Sequence, residues 1–351
     1  MLFYYLLFFV LIVIAFNFAG DKRVGVGMML ALLFFAAFRG DMVGTDTINY
    51  LEGRGLNRSL VTEDLWNQPE LIYVYLTYYL DYVGKSMRWL IVIFSIISIG
   101  CVIKAAQRVN ANLVLVGFTF SVLFYLQMFN IARQITAVCI LLLGYTYLLD
   151  DNKRNTFKFL LFVLIATMFH ASSIVAVFAI FLKRWTFKKD RLVLIASALF
   201  FLNIVYPIQF LDYISGYLAN SAYEYYADEV TATSRTFVGF VVELIKFVIL
   251  MMIFKRQNVN PRTNFQDNLF FFSIVVQFLT VNLGSNVGRI ALAFTIFQVL
   301  YIAEYLNKRL NHMSRDPLAV CFVVYSVFFC LYNASLGHGD LVPYYVEFGF
   351  H

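Results

Sequence analysis

Apolar residues in this chain fall in long unbroken runs. They show neither the alternation of a half-buried strand nor the one-sided stripe of a surface helix. The runs cover residues 2–19, 24–38, 89–103, 113–129, 131–149, 157–169, 172–182, 192–208, 237–254, 269–283, 290–306 and 318–332. Crossing a bilayer core as a helix takes about 20 mostly apolar residues. The pattern therefore predicts an all-α polytopic membrane protein with about 12 transmembrane helices. Between the second and third runs, PELIYVYLTYYLDYVG (69–84) is long enough for a helix but carries Glu70 and Asp81. It reads as an interfacial or half-buried helix, rich in the tyrosine that membrane boundaries favour.

Composition agrees with the pattern. Hydrophobic residues make up 61% of 351 and charged residues only 14%, against roughly 25% charged in a soluble domain. Short alternating segments, which a transmembrane barrel requires, are missing. The first run has neither a basic leader nor a small-residue cleavage site and is expected to be a retained span. The four cysteines all lie inside apolar runs without CxxC spacing, so no disulfide or zinc framework is indicated. The net charge of +6 does not point to nucleic acid, because most basic residues sit in short loops between runs.

Those loops set the orientation. Eighteen of the 27 basic residues fall on one side, among them Lys22, Arg23, Lys104, Arg108, Lys153, Arg154, Lys188, Lys189, Lys255 and Lys308. The other side holds eight: Arg39, Arg54, Arg58, Lys85, Arg88, Arg133, Arg235 and Arg289. Positive charge marks the cytoplasmic side, so both termini are expected outside, in the periplasm. Two outer segments are long, 39–88 and 209–236, and inner loops are short. With no repeat at a fixed period, residues 1–351 read as one membrane domain.

Orientation gathers scattered polar residues at one depth on the outer face: Arg39, Asp46 and Tyr50 after the second run; Asn130, Arg133 and Gln134 between the fourth and fifth; His170; Arg235; Arg289; and Tyr344 with Tyr345 in the tail. Ionisable groups at membrane depth are costly and usually line a functional cavity. Arginines on the side that topology depletes of them point to an anion, and guanidinium forks suit phosphate oxygens.

Several of these segments resemble the EpsG/Wzy family of O-antigen and exopolysaccharide polymerases. FRGDMVGTDTINY (38–50) is similar to its Arg…Val-Gly-Thr-Asp…Tyr signature, and FNIARQITAVCILLLGYTYL (129–148) to its Arg-Gln-containing segment. TMFHASSIVAVFAIFL (167–182) resembles its His-containing segment, though without the proline. NVGRIALAFTIF resembles the late arginine segment, with Ile290 where the family often has tyrosine, and LVPYY resembles the tail. The matches keep family order from residue 38 to 345. The resemblance implies a glycosyltransferase without a nucleotide-sugar fold, in the bacterial inner membrane with its site facing the periplasm. It would transfer a glycan from undecaprenyl diphosphate to the non-reducing end of an undecaprenyl-diphosphate-linked repeat unit. No metal or other cofactor is implied, and product length would be set by a separate co-polymerase protein.

For that chemistry the leaving diphosphate needs electrostatic stabilisation more than a proton. Arg133 and Arg289 are the first candidates, then Arg39 and Arg235. Inversion at the anomeric carbon requires one general base on the attacking hydroxyl, whereas an inverting hydrolase needs two carboxyl groups. Asp46 is one candidate; in a helix starting near Gly44 it shares a face with Tyr50. His170 is the other, because imidazole exchanges protons near neutrality. Tyr50, Glu70, Asn130, Gln134, Asn286 and Tyr344 are candidates for sugar contacts.

Structural alternatives exist for each. Arg39 and Asp46 could be an ion pair closing the second run, and Arg133 a snorkelling anchor. His170 could be an interhelical hydrogen bonder, Glu243 with Lys246 a helical bridge, and Asn282, Ser285 and Asn286 helix caps. Rival activities are a polysaccharide ligase, a lipid-linked oligosaccharide flippase and a membrane acyltransferase. A flippase would place its charges near the midplane, whereas here only Glu243 and Lys246 lie deep.

Overall fold

The computed structural model describes residues 1–52, 70–150, 152–185, 188–205, 237–257, 264–280, 288–309, 316–337 and 339–348. Arg235, Asn282, Ser285 and Asn286 lie outside these residues, as does the outer segment 209–236. The described elements are all helical: α1 Leu2–Asn17, α2 Lys22–Ala37, α3 Thr47–Leu51, α4 Leu71–Tyr82, α5 Arg88–Arg108, α6 Leu113–Phe120, α7 Ala132–Leu148, α8 Lys153–Phe169, α9 Lys189–Val205, α10 Phe237–Arg256, α11 Asn264–Thr280, α12 Gln298–Asn307 and α13 Pro317–Ser335. Among the described residues the one β-type pairing is an isolated antiparallel bridge between Arg39 and Val346.

The chain divides into two units. The first is Met1–Ile174 with Ile302–His351, and the second is Val175–Tyr301. In the first unit α7 packs against both α5 and α8, and α2 packs against α5 and α6. Helix α7 buries residues all round its circumference, including Ile135, Val138, Leu141, Leu142 and Tyr145, as expected of a helix apolar on every face. In lipid, burial from water does little to hold helices together, and packing with interhelical hydrogen bonds takes over. Ser98 on α5 and Thr136 on α7 supply one such bond at 3.0 Å, wholly buried.

Side-chain caps start four helices of this unit. Asp21 accepts from the Arg23 N–H at 2.8 Å, Asn112 from Leu115 at 3.3 Å, Asn152 from Arg154 at 2.9 Å and Asp316 from Leu318 at 2.9 Å. Each cap satisfies an orphan donor and contributes about 1 kcal/mol. All four lie at the helix ends that carry the basic loops. Helices α3, α4, α5 and α7, which start at the opposite end, have no side-chain cap. Their ends are met instead by long-range contacts, and the candidate site lies there.

The second unit is organised by aromatic contacts. Phe200 of α9 stacks on Phe247 of α10 at 4.4 Å, and Phe278 of α11 sets its edge against both. At the other end of these helices, Lys189 Nζ lies 2.8 Å from Asp267 and donates to the carbonyls of Phe254 (3.0 Å) and Gln257 (2.7 Å). Its charge is thus fully engaged within the unit. Glu243 Oε2, by contrast, is buried with no hydrogen-bond partner among the described residues.

Two described helices, Arg88–Arg108 and Pro317–Ser335, are long and apolar enough to cross a membrane. A pair bent by 40°, Arg289–Thr295 with Gln298–Asn307, makes a third if it counts as one span. At a rise of about 1.5 Å per residue, α5 matches a core of about 30 Å. Other apolar runs fold as shorter or interrupted helices. The run at 113–129 passes through a π-helical turn at Ser121–Tyr125, and 172–182 is mostly a 3-10 helix, Ala171–Phe178. The tyrosine-rich segment does form a helix, α4. It buries Tyr73, Thr77 and Leu80 and exposes Tyr75, Tyr78, Tyr79 and Tyr82, the two-faced character its sequence predicts.

Candidate functional site

The loop after α2 is held from two sides. The C-terminal tail lies along it: Gly40 N–H donates to Tyr345 O at 2.8 Å, Glu347 N–H to Phe38 O at 2.9 Å and Gly44 N–H to Asp340 O at 2.9 Å. A Cβ on Gly40 would sit 2.0 Å from the Tyr345 ring, which would have to move aside for any larger residue. Gly44 has φ +95°, and a Cβ there would meet Phe129 O at 2.2 Å, a position for glycine on both counts. On the other side Asn130 Oδ1 accepts from the Thr45 N–H at 3.0 Å. Asn130 thus serves the loop, and Thr45 occupies its carbonyl oxygen.

Arg39 is wholly buried beneath this loop. Its Nη1 donates to Ala36 O at 2.8 Å and its Nε to Thr47 Oγ1 at 3.1 Å, and the guanidinium lies 5.2 Å from the centre of the Phe129 ring. Tyr344 Oη donates to Phe35 O at 2.7 Å, while its ring stacks on Phe3 at 3.8 Å. The two side chains satisfy adjacent carbonyls in the last turn of α2, where helix ends leave acceptors open and favour a cation. Burial pushes the Arg39 guanidinium down to about 10, which leaves it charged at neutral pH. No carboxylate pairs with it among the described residues, so the Arg39–Asp46 ion pair is not formed. Thr47 takes the place considered for Asp46.

A second cluster forms where α4, α7 and α8 meet α3. Glu70, just before α4, receives Arg133 Nη1 on Oε2 and lies 2.6 Å from His170 Nδ1 through Oε1. Arg133 is in the first turn of α7, and its guanidinium lies 4.2 Å from the centre of the Tyr73 ring. Tyr50 Oη accepts from the Arg133 backbone N–H at 3.4 Å, and the Tyr50 ring meets Tyr73 and Phe94 edge-on. His170 ends α8, its N–H bonded to Ala166 O at 2.9 Å. The backbone is extended there before the 3-10 helix begins, and this turn delivers the imidazole to Glu70.

Burial alone would raise the Glu70 carboxyl, but the hydrogen bond from His170 and the Arg133 charge outweigh it and hold the group below its ordinary value. An ionised Glu70 can only accept, so the His170 proton is on Nδ1 and Nε2 is left as the basic nitrogen. No described residue takes that Nε2. The side chains of Arg133 and His170 are 33% and 27% exposed, against 16% for Glu70. The cation and the free imidazole edge are therefore reachable, while the carboxylate joining them is mostly covered.

The remaining candidates are placed as follows. Asp46 is the residue before α3, and its carbonyl accepts from the Tyr50 N–H at 3.1 Å. Burial raises the Tyr50 phenol, Arg133 opposes that, and Asp46 adds to it, so Asp46 contributes charge to the cluster's edge. Gln134 is buried on the α7 face toward Ser172, 3.5 Å from its hydroxyl. Arg289 opens the 3-10 turn Arg289–Ala291 of the second unit. The structure thus joins Tyr50, Glu70, Arg133 and His170, and puts Arg39, Asn130 and Tyr344 into the framework of the loop.

A further centre is absent from the sequence reasoning. Arg88, 2% exposed, pairs with Asp41 and lies 3.2 Å from Glu347, and also donates to Arg39 O at 3.0 Å. It locks the tail onto the loop. Its one sequence signal is an arginine at the mouth of an apolar run.

Neither curated proteins nor solved structures match this chain. A family model does, that of the EpsG family, over residues 22–346. The match takes in the loop, the Arg133 segment, His170, Arg289 and the tail, and by this coverage the chain belongs to the EpsG family.

Proposed function

We propose that this protein is a polysaccharide polymerase of the membrane, extending a glycan by transfer between lipid-diphosphate carriers. Membership of the EpsG family supports a polysaccharide-polymerase type of role. The chain is proposed to be multi-pass in the bacterial inner membrane with about 12 helices crossing, its termini and site facing the periplasm. The observation that carries the finer reading is one carboxylate, Glu70, binding a partly exposed guanidinium on one oxygen and an imidazole on the other.

In this reading Arg133 receives the diphosphate of the donor; Arg289 and Arg235 are proposed as anion-binding residues on their sequence pattern alone. The developing charge on the leaving oxygen is stabilised by preorganised donors, which act strongly where water is scarce. His170 Nε2 takes the proton of the attacking hydroxyl on the acceptor repeat unit. Attack from the face opposite the diphosphate inverts the anomeric carbon. Gln134 is proposed to contact sugar hydroxyls. Arg39, Asn130 and Tyr344 act at one remove, by fixing the loop that carries Asp46 and Tyr50. A separate protein is proposed to set chain length.

The test is the banding pattern of surface polysaccharide in a strain lacking this gene and complemented with the chain. Restoration of a ladder of lengths supports polymerisation. Transfer of a single repeat unit with no ladder would contradict it, and would favour a ligase.

A further inference from the structure

Glu70 serves two cations with separate oxygens, and only one of the two faces a competitor. Arg133 Nη1 is bound to Oε2, while His170 Nδ1 is 2.6 Å from Oε1. Any diphosphate that seats on the exposed part of Arg133 brings its charge against Glu70, which already occupies the same guanidinium. Two anions on one cation repel, so the stronger phosphate partner displaces the carboxylate oxygen. The His170 contact lies on the other oxygen and is not contested.

We propose that Glu70 is a positioning residue that changes partners: donor diphosphate takes Arg133 from it, and the released carboxylate then acts on His170 alone. This rests on the functional reading above. While Arg133 neutralises Glu70, the imidazole feels a damped negative charge. Once the diphosphate has taken Arg133, Glu70 and the diphosphate both favour the imidazolium, and His170 becomes a stronger base when a donor is in place. The transfer then balances. The acceptor hydroxyl gives its proton to His170 Nε2, and its oxygen bonds to the anomeric carbon. The anomeric carbon–oxygen bond to the carrier breaks, and its electron pair leaves on the diphosphate oxygen beside Arg133.

The titratable groups facing Glu70 and His170 are Arg133 from α7, Tyr73 from α4, and Tyr50 and Asp46 from α3 and the turn before it. None of these but Arg133 is a fixed cation, so Arg133 is the group whose engagement sets the Glu70 charge felt by His170.

Two measurements test this on the full chain in detergent. The first is binding of farnesyl diphosphate to wild type, Glu70→Gln and Glu70→Asp. The amide keeps the shape and removes the competing charge, so Glu70→Gln should bind roughly tenfold more tightly yet lose glycan extension, and Glu70→Asp should recover part of it. Weaker or unchanged binding by Glu70→Gln overturns the proposal. The second uses wild type alone, so it does not depend on a variant folding. The imidazole resonance of His170, assigned by its loss in His170→Gln among the four histidines, is titrated with pH. Its midpoint should move upward when farnesyl diphosphate is present, and no movement overturns the proposal. The binding and titration readouts are independent of polymerisation. If the partner exchange is seen but no glycan is extended, the functional reading fails and the exchange stands.

Discussion

His170 Nδ1 lies 2.6 Å from Glu70 Oε1, a contact spanning a hundred residues of sequence. Through the other oxygen of the same carboxylate, His170 is tied to Arg133. One mostly covered acid thus fixes both the tautomer of an imidazole and the place of a guanidinium. In the function proposed above, the guanidinium is the anion-binding cation and the imidazole, whose Nε2 no described residue takes, is the base.

His170→Ala should reduce glycan extension by about 10²–10⁴-fold, the range for loss of a general base, with little change in the amount of folded protein. His170→Gln should be equally inactive, because the amide can satisfy Glu70 but cannot take the proton. Extension assays on membranes with matched protein levels check both.

Arg133→Ala and Arg133→Lys should both abolish extension, since lysine offers a point charge and no fork. Arg133→Ala should also destabilise the protein by about 1–2 kcal/mol, because Glu70 is left buried beside His170 alone while the guanidinium was partly screened by solvent. Arg133→Lys should melt closer to wild type. Melting in detergent alongside the extension assay separates the two effects.

Arg39 should behave differently. Its contacts are Ala36 O, Thr47 and the Phe129 ring, so Arg39→Met should weaken folding, and Thr47→Val should cost about 1–3 kcal/mol by leaving the guanidinium Nε without an acceptor. Gly44→Ala should destabilise by a similar amount, through its positive φ and the Phe129 carbonyl 2.2 Å from the new Cβ. An Arg39→Met protein that melts like wild type while losing activity would place Arg39 at the ligand instead.

The pH dependence of stability follows from Glu70. Its folded carboxyl is held below the value of 4.5 taken for the free group. The stabilisation is therefore complete above 4.5 and is lost as pH falls through the lower, folded value. Melting curves of wild type and Glu70→Gln should differ near neutral pH and converge in acid. A gap that persists at the lowest pH would mean the charge of Glu70 is not what stabilises it.

Much of this was legible in the sequence, and the rest was not for definable reasons. The apolar runs, the two-faced tyrosine helix α4 and the placing of Arg133 and His170 at helix ends follow from local patterning, which sequence carries directly. The role of Glu70 did not follow, because its partners lie 63 and 100 residues away, and a glutamate beside a tyrosine-rich helix also fits a sugar contact. In the sequence Arg39 reads as an anion-binding cation on the outer side, or as an ion pair with Asp46. Its burial depends on the tail from Gly339 to Phe348 folding back over the loop, through Arg88, Tyr344 and Glu347. Hydropathy finds apolar runs but not their interruptions. Ser121–Tyr125 and Ala171–Phe178 depart from α-helical geometry inside runs that look continuous.

The most direct measurement is extension by the purified protein in lipid vesicles, supplied with lipid-diphosphate-linked repeat units and no other acceptor. A ladder of products resolved on a gel is predicted from wild type, and none from Arg133→Ala or His170→Ala. Consumption of the carrier-linked units without any ladder, or an undiminished ladder from both variants, would contradict it.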